Sequence, residues 1–498
     1  MKVLLDPYIF LSRDRVISDN IKDLSGILDQ IGAKIIIHPP SIEYLEKHTD
    51  NRKMQTVHSE IRKYSLLQSD LDPKVDLEYL SAVRNVNDDR NNVENSILYS
   101  VYKDSVDFLV TEDRSIHKKA SGLGIDDRVL LIDEAIRLFI NYLPEYGIKA
   151  PLPLKNEPVK NLDLGDPIFD TLKEEYPEFQ GWFKKISNKG RRCWVYYRND
   201  GRIGALLIYK VEDEPVDCIP SVPEKKRLKI STLKVTHVGY KIGELFIKLA
   251  TDVSLNNDLS EIYLTHFTRS NDRLIELISE FGFYKVGTNR RGEEVFIKKL
   301  VIDKLEAQSI SPIDISKKFY PSLYDGAHVK KFVVPIRPEY HNKLFTDFPG
   351  RQTTLLEHAG KFIVEGNTIK KAYLSHSNIR RMGPGDLILF YRSEDLQAIT
   401  SISVAEAVYT GIEDADQIVK LVGKRTVFSR KEIDELVKKP VSIFLFRHHF
   451  HLKKCLPLDA IAEAGIMSAA PQSVTEISHE YYLKAKEMGG VDEHFTVD

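Results

Sequence analysis

The chain has 498 residues, 42% of them hydrophobic and 29% charged, with a formal net charge of −2. At roughly 150 residues per domain this makes about three domains, with apolar residues enough for a core in each, which excludes a disordered chain. The near-neutral balance excludes nucleic-acid binding by overall charge and leaves it to local basic faces; no apolar run approaches the ~20 residues that span a bilayer, so no membrane is expected.

Residues 1–148 alternate strand and helix: KVLLD, AKIIIH, DFLVTED and RVLLID are short apolar runs with helical stretches between them. Such alternation predicts a parallel sheet covered by helices. Residues 149–167 are proline-rich and aperiodic and read as a linker. Residues 168–300 carry paired strands with a turn at Asn199–Asp200–Gly201, then a strand, a glycine loop and an amphipathic helix, then EIYLTHF, a helix and two more strands, an α+β pattern. Residues 301–328 read as a polar connector, and residues 329–498 are mostly short strands that suggest a small β-barrel with helical decoration. The amino-terminal strand has charged flanks unlike a signal peptide. Cys193, Cys218 and Cys455 lie too far apart for a metal pattern or a disulfide framework, and a reducing cytoplasm fits.

Asp6 closes the first strand and Asp113 ends DFLVTED, with Asp89 and Glu94 between them. Acids at the carboxyl ends of strands in a parallel sheet meet in space, at the edge where open sheets bind ligands. Converging carboxylates repel one another, and a hard divalent cation relieves the repulsion. A lone acid in such a place is most often a helix N-cap or a turn residue, so the ordered set carries the metal reading. Arg114, His117, Lys118 and Lys119 follow Asp113, as phosphate contacts or as a solvated helix face. In the central segment Gly239 and Gly243 bracket a turn into a helix, whose backbone N–H groups are aimed for an anion; helix packing is the plainer account of such a pair. His448, His449 and His451 sit in RHHFHLKK without a second ligand pair, and a basic edge or simple surface is expected there.

Residues 1–140 resemble a PIN domain, a Rossmann-like metal-dependent nuclease fold, through LLDPYIF and FLVTED. The resemblance implies a ribonuclease with Mg²⁺ or Mn²⁺ held by Asp6, Glu94 and Asp113, with Asp89 as a substitute for Glu94 and Glu43 as a further ligand. Pro7 and Tyr8 depart from the small polar residues usual after the first acid. Residues 168–300 resemble a GNAT-type N-acetyltransferase: VGYKIGELF matches the coenzyme A pyrophosphate loop, and NDRLIELISEFGFYKVG the late helix and strand. This implies acetyl-CoA on Val238, Gly239, Tyr240, Lys241, Ile242 and Gly243. Ile278 stands where the family often has its tyrosine acid, leaving Tyr284 or a water for that step, and His237 and His266 as bases or structural histidines.

FVVPIRPEYHNKLF, RRMGPGDLILFYRS and SISVAEAVYTG resemble a PUA-like barrel of the ASCH or EVE kind. That implies RNA binding, with Lys370, Lys371, Arg380, Arg381 and Arg392 on phosphates and Tyr391, with Tyr373, stacking bases. Together the resemblances imply a three-module multidomain α/β and α+β protein acting on RNA such as tRNA. PIN and GNAT folds both occur in toxins of toxin–antitoxin systems, which implies a toxin or defence role with an antitoxin partner; a homo-oligomer is a further expectation. Two rivals stand beside the nuclease: an amine N-acetyltransferase with a scaffold PIN domain, and a non-catalytic RNA-binding regulator.

Overall fold

Strand β1 (Lys2–Leu5) exposes Lys2 and buries the next three residues completely, the mark of a strand covered on both faces. The computed structural model describes residues 1–498 except 12–14, 69–71, 84–87, 141, 143–153, 199–200, 237–240, 270–271, 349–360 and 363–367. It is a mixed α/β structure with several sheets, and the chain separates into two units. The first unit comprises Met1–Lys149, Ser270–Arg273 and Glu413–Lys438; the second holds the rest. Among the described residues no helix is long and apolar enough to cross a membrane.

In the first unit, β1 is joined by β2 (Lys34–Ile37), β3 (Ser65–Leu66), β4 (Phe108–Val110) and β5 (Val129–Leu130) in one sheet of order β3-β2-β1-β4-β5. Every pairing is parallel. Helices α1 (Arg15–Gln30), α2 (Pro39–His48), α3 (Asn51–Ile61), α4 (Leu77–Ala82), α5 (Asp89–Tyr102), α6 (Arg114–Gly122) and α7 (Ile132–Ile140) connect the strands. Leu98 of α5 and Ile116 and Ala120 of α6 close over Leu4, Ile36 and Leu109 of the sheet. The chain runs outward from β1 to β3 on one side and from β4 to β5 on the other. The direction reverses between β1 and β4, and such a reversal leaves a crevice at the strands' carboxyl ends.

The second unit holds an eight-stranded sheet of order β11-β12-β10-β9-β8-β7-β6-β15. Its strands are β6 (Leu154–Pro158), β7 (Arg192–Tyr197), β8 (Ile203–Val216), β9 (Val222–Val235), β10 (Glu261–His266), β11 (Phe283–Thr288), β12 (Glu294–Lys299) and β15 (Lys361–Phe362). Helices α8 (Asp170–Glu175), α9 (Phe179–Asn188), α10 (Lys241–Leu255) and α11 (Arg273–Glu280) accompany it. The segment expected to be a linker supplies β6. Its prolines flank the strand or end it at Pro158, so none removes a ladder hydrogen bond from the middle. β7 and β8 pair antiparallel as expected, while Asn199 and Asp200 of the expected turn lie outside the described residues.

The expected connector carries α12 (Lys304–Ala307), α13 (Pro312–Lys318) and the short β13 (Leu323–Tyr324), and it buries Ile302, Ile315 and Phe319. One apolar core runs from Leu154 through Phe246 and Phe281 to Tyr320 and Ile369, across the expected boundary. Beyond it come β14 (Lys331–Ile336), α14 (Pro338–Leu344), β16 (Lys370–Ser375), β17 (Leu387–Arg392), β18 (Ala398–Ile412), β19 (Val441–Pro457) and β20 (Thr475–Ile477). Strand β13 pairs instead with β21 (Thr496–Val497). The expected barrel is an open sheet among the described residues: the order is β16-β19-β18-β17-β14-β20, and its two end strands do not pair with each other.

Candidate active site

Leu5 of β1 and Val110 of β4 are register partners, so the residues that follow them emerge side by side. The Asp6 N–H donates to the Val110 carbonyl at 3.0 Å, and the Asp6 side chain, 2% exposed, takes two further hydrogen bonds. Thr111 Oγ1 donates to Oδ2 at 2.6 Å, and the Tyr8 N–H donates to Oδ1 at 3.1 Å. Burial pushes the Asp6 carboxyl up to about 6 against the pull of these two bonds, and the nearby charges of Asp113 and Glu94 push it the same way. Thr111 Oγ1 also accepts from the Asp113 N–H at 3.0 Å, so one hydroxyl ties both acids together.

Asp113 caps α6, accepting from the Ser115 N–H at 2.8 Å, and turns its other oxygen to the Arg90 guanidinium at 2.8 Å. The N-cap and site readings of this residue therefore hold together. Glu94 projects from α5 and takes Arg90 Nε at 3.1 Å, Ser115 Oγ at 2.6 Å and Lys119 Nζ at 2.8 Å. Asp6, Glu94 and Asp113 line one cavity with Tyr8, Ser41 and Arg90. Glu43 on α2 and Asp89 at the start of α5 are exposed and do not line it, so neither joins the three acids there.

Sequence reasoning passed over Arg90, although its spacing of four residues from Glu94 on a helix is a readable signal. Its guanidinium bridges Glu94 and Asp113 where a cation between acids belongs. The ligand oxygens are not drawn together as one group: among the described residues, the metal-ligating side chains with donor atoms within 4.8 Å of one another are Asp347, His448 and His451. Of the cations after Asp113, Lys119 is paired with Glu94 and His117 Nε2 lies 2.9 Å from the Thr111 carbonyl, whereas Arg114 and Lys118 are exposed.

In the second unit, Val238, Gly239, Tyr240 and His237 lie outside the described residues, as does the side chain of Lys241. Ile242 is fully buried in the core. A Cβ on Gly243 would lie 2.5 Å from Leu277 Cδ2 of α11, so this glycine serves the close packing of α10 on α11. Ile278 is fully buried, and Tyr284 is 46% exposed.

Five of the seven residues expected to meet RNA are internal. Lys370, Lys371, Tyr373, Tyr391 and Arg392 are at most 9% exposed. Lys370 pairs with Glu280, Lys371 Nζ stands 5.8 Å over the Phe345 ring, and Tyr391 lies in the sheet's core. Arg392 holds Asp395 and donates to Asn342 Oδ1 at 2.9 Å. β16 and β17 bury every residue but Ser375, so the surface that the resemblance implies for these side chains is not there. Arg380 and Arg381 are exposed. The histidines of RHHFHLKK are not a surface edge either, since His448 and His449 are 1% and 4% exposed.

No protein-family model and no curated protein matches the sequence. Among solved structures, ASCH from Zymomonas mobilis is similar at 17% identity over 32% of this chain and 95% of that one, with a TM-score of 0.24. A GNAT-family acetyltransferase from Listeria monocytogenes is similar at 15% identity over 26% of this chain and 88% of that one, with a TM-score of 0.19. The PaiA N-acetyltransferase of Thermoplasma acidophilum, crystallised with coenzyme A, is similar at 14% identity over 26% of this chain and 74% of that one, with a TM-score of 0.20.

Proposed function

We propose that the first unit is a metal-dependent nuclease acting on RNA, with Asp6, Glu94 and Asp113 holding Mg²⁺ or Mn²⁺. One observation carries this reading: carboxylates from the ends of β1 and β4 and from α5 line one cavity at the point where the strand order reverses. The donors are all oxygen, which suits a hard cation, and Arg90 already meets the same demand for positive charge. The residues fit such an ion once the guanidinium turns away, and its side chain, 58% exposed, is free to do so. Bound there, a divalent cation supplies charge for the phosphoryl oxygens and acidifies water. The rest falls to the chain. Thr111 fixes Asp6 and Asp113 in one orientation, Ser115 and Lys119 fix Glu94, and the exposed Lys118 is available to a neighbouring phosphate.

Asp6→Asn and Asp113→Asn each keep the shape and remove a charge. Each is expected to lower Mn²⁺-dependent cleavage of RNA at least a hundredfold, in line with what positioned charges contribute to catalysis (~10²–10³). Failure of wild-type protein to cut any RNA with Mn²⁺, or full activity in the double variant, would sink the reading.

A second reading concerns the second unit, an acetyl-CoA site of the GNAT kind. Among the described residues, β9 and β10 pair at Leu228–Ile230 with Ile262–Leu264 and not beyond. β9 runs on to Val235 beside β8, and α10 starts at Lys241. The parted edge offers unpaired backbone groups to an extended amide-bearing ligand such as the pantetheine arm. Titration calorimetry of the full chain with acetyl-CoA tests it, and no heat at millimolar ligand removes it.

A further inference from the structure

Residues three apart on a regular strand point to opposite faces, yet the His448 and His451 rings lie 4.5 Å apart, centroid to centroid. The register of β19 against β18 explains it. His448 faces Ser403, Phe450 faces Ile402 and His451 faces Ser401, so the ladder slips by one residue at His449. The slip is a β-bulge, and it brings His448 and His451 to the same side. His449 is sent elsewhere: Nε2 lies 2.7 Å from Ser316 Oγ and Nδ1 2.7 Å from the Pro321 carbonyl. Asp347, three residues past the end of α14, completes the group, and one ligand atom from each of the three side chains lies within 4.8 Å of the others.

Two further observations point to a ligand. His448 is 1% exposed, and its Nδ1 is buried without a hydrogen-bond partner. The Nδ1 of His451 is buried and unpartnered as well. Orphaned buried polar atoms are destabilising, and two beside one carboxylate are a cost that a ligand removes. The surroundings orient the group. Asp347 Oδ2 holds the Lys248 ammonium of α10, and Oδ1 lies 3.1 Å from His451 Nε2. The Lys248 contact lies outside the three donors and fixes the orientation of the carboxylate. The rings of Phe345 and Phe348 wall the histidines at 5.0–5.8 Å.

We propose that Asp347, His448 and His451 bind a transition-metal ion of the Zn²⁺ class. Two imidazoles and one carboxylate suit Zn²⁺, Co²⁺ or Fe²⁺, whereas Mg²⁺ and Ca²⁺ favour oxygen alone. Three protein donors leave a coordination position for water or a substrate atom. The site differs in donor chemistry from the acids of the first unit, so the two can be loaded and tested separately.

The experiment uses the full chain carrying Asp6→Asn and Asp113→Asn, stripped with a chelator and titrated with Co²⁺ and then Zn²⁺. Expected are one Co²⁺ per chain, a visible d–d absorption band, and displacement of Co²⁺ by Zn²⁺ but not by Mg²⁺. His448→Gln and His451→Gln should each weaken binding at least tenfold, the scale on which metal sites respond to altered ligation (~10–100-fold). Unchanged affinity in both variants overturns the proposal, as does a parent chain that takes up no Co²⁺ at submillimolar concentration. If the variants do not fold, the parent decides alone: Zn²⁺ must raise its melting temperature and Mg²⁺ must not, and equal effects of the two ions overturn the site.

Discussion

Arg90 stands between Glu94 and Asp113 with 58% of its side chain exposed. Ion pairs this open to water are worth about 0–1 kcal/mol, so a divalent cation displaces the guanidinium at small cost. Arg90→Gln is expected to tighten Mn²⁺ binding by up to about fivefold, the equivalent of that energy, in a paramagnetic titration. Weaker binding in the variant would mean that Arg90 supports the ion rather than competing with it. His38 supplies a pH dependence from the same unit. It is 3% exposed, with Nδ1 2.7 Å from Ser41 Oγ, and burial pushes its pKa down from 6.5 to about 3. Below pH 6.5 the unfolded chain takes up a proton that the folded chain refuses. The stability is therefore whole above 6.5 and is lost as pH falls toward 3, by about 2 kcal/mol at pH 5. His38→Gln should flatten the loss over that window in hydrogen exchange of β1 and β4; an unchanged slope would assign the pH dependence to other groups.

At the scale of elements, the sequence was most readable where period and burial agree. KVLLD and DFLVTED were readable as strands ending in acids, and parallel pairing alone then brings Asp6 and Asp113 together. It was least readable where a third layer intervenes. Lys370, Lys371 and Arg392 look like a basic face because polar residues ordinarily point outward, yet Glu280 and Phe345 receive the two lysines inside, and the buried Arg392 reaches out to the exposed Asp395. The bulge at His449 was hidden for a related reason, since register is set by a partner strand some fifty residues away in sequence. Glycines show the same ambiguity. Gly282 has φ +84°, and a Cβ there would stand 1.8 Å from the Lys318 carbonyl oxygen at the end of α13. Gly282→Ala must strain the backbone and push the expected connector off the sheet. A loss of more than about 3 kcal/mol is expected in denaturant unfolding of the second unit. A near-neutral result would show that the two segments are not tightly docked.

For the whole molecule, three grammars were legible along the chain, and two units were not. Local patterning marks where strand–helix alternation gives way to antiparallel strands, but it carries no record of which segments share a core. Leu154, Tyr320 and Ile369 share one, which joins the second and third grammars through their connector. The converse holds for Glu413–Lys438, which leaves the third segment between β18 and β19 and belongs to the first unit. Besides the buried Ile418, Val419 and Val422, polar contacts tie it to residues about 300 or more positions away in sequence. The amino-terminal ammonium meets Asp416 at 2.9 Å, Lys420 meets Asp104 at 2.6 Å and Arg425 meets Asp127 at 2.9 Å. The Arg425 pair is the most enclosed of those between side chains, at 11% and 17% exposure, and Gly423 lies against the Asp127 backbone beside it. Arg425→Ala removes a mostly buried guanidinium from Asp127, at a cost of about 2 kcal/mol. In the full chain, hydrogen exchange should therefore quicken in β4 and β5, which flank Asp127 in sequence, and stay unchanged in β18 and β19. Faster exchange in β18 and β19 with β4 unaffected would instead tie Glu413–Lys438 to the strands from which it departs.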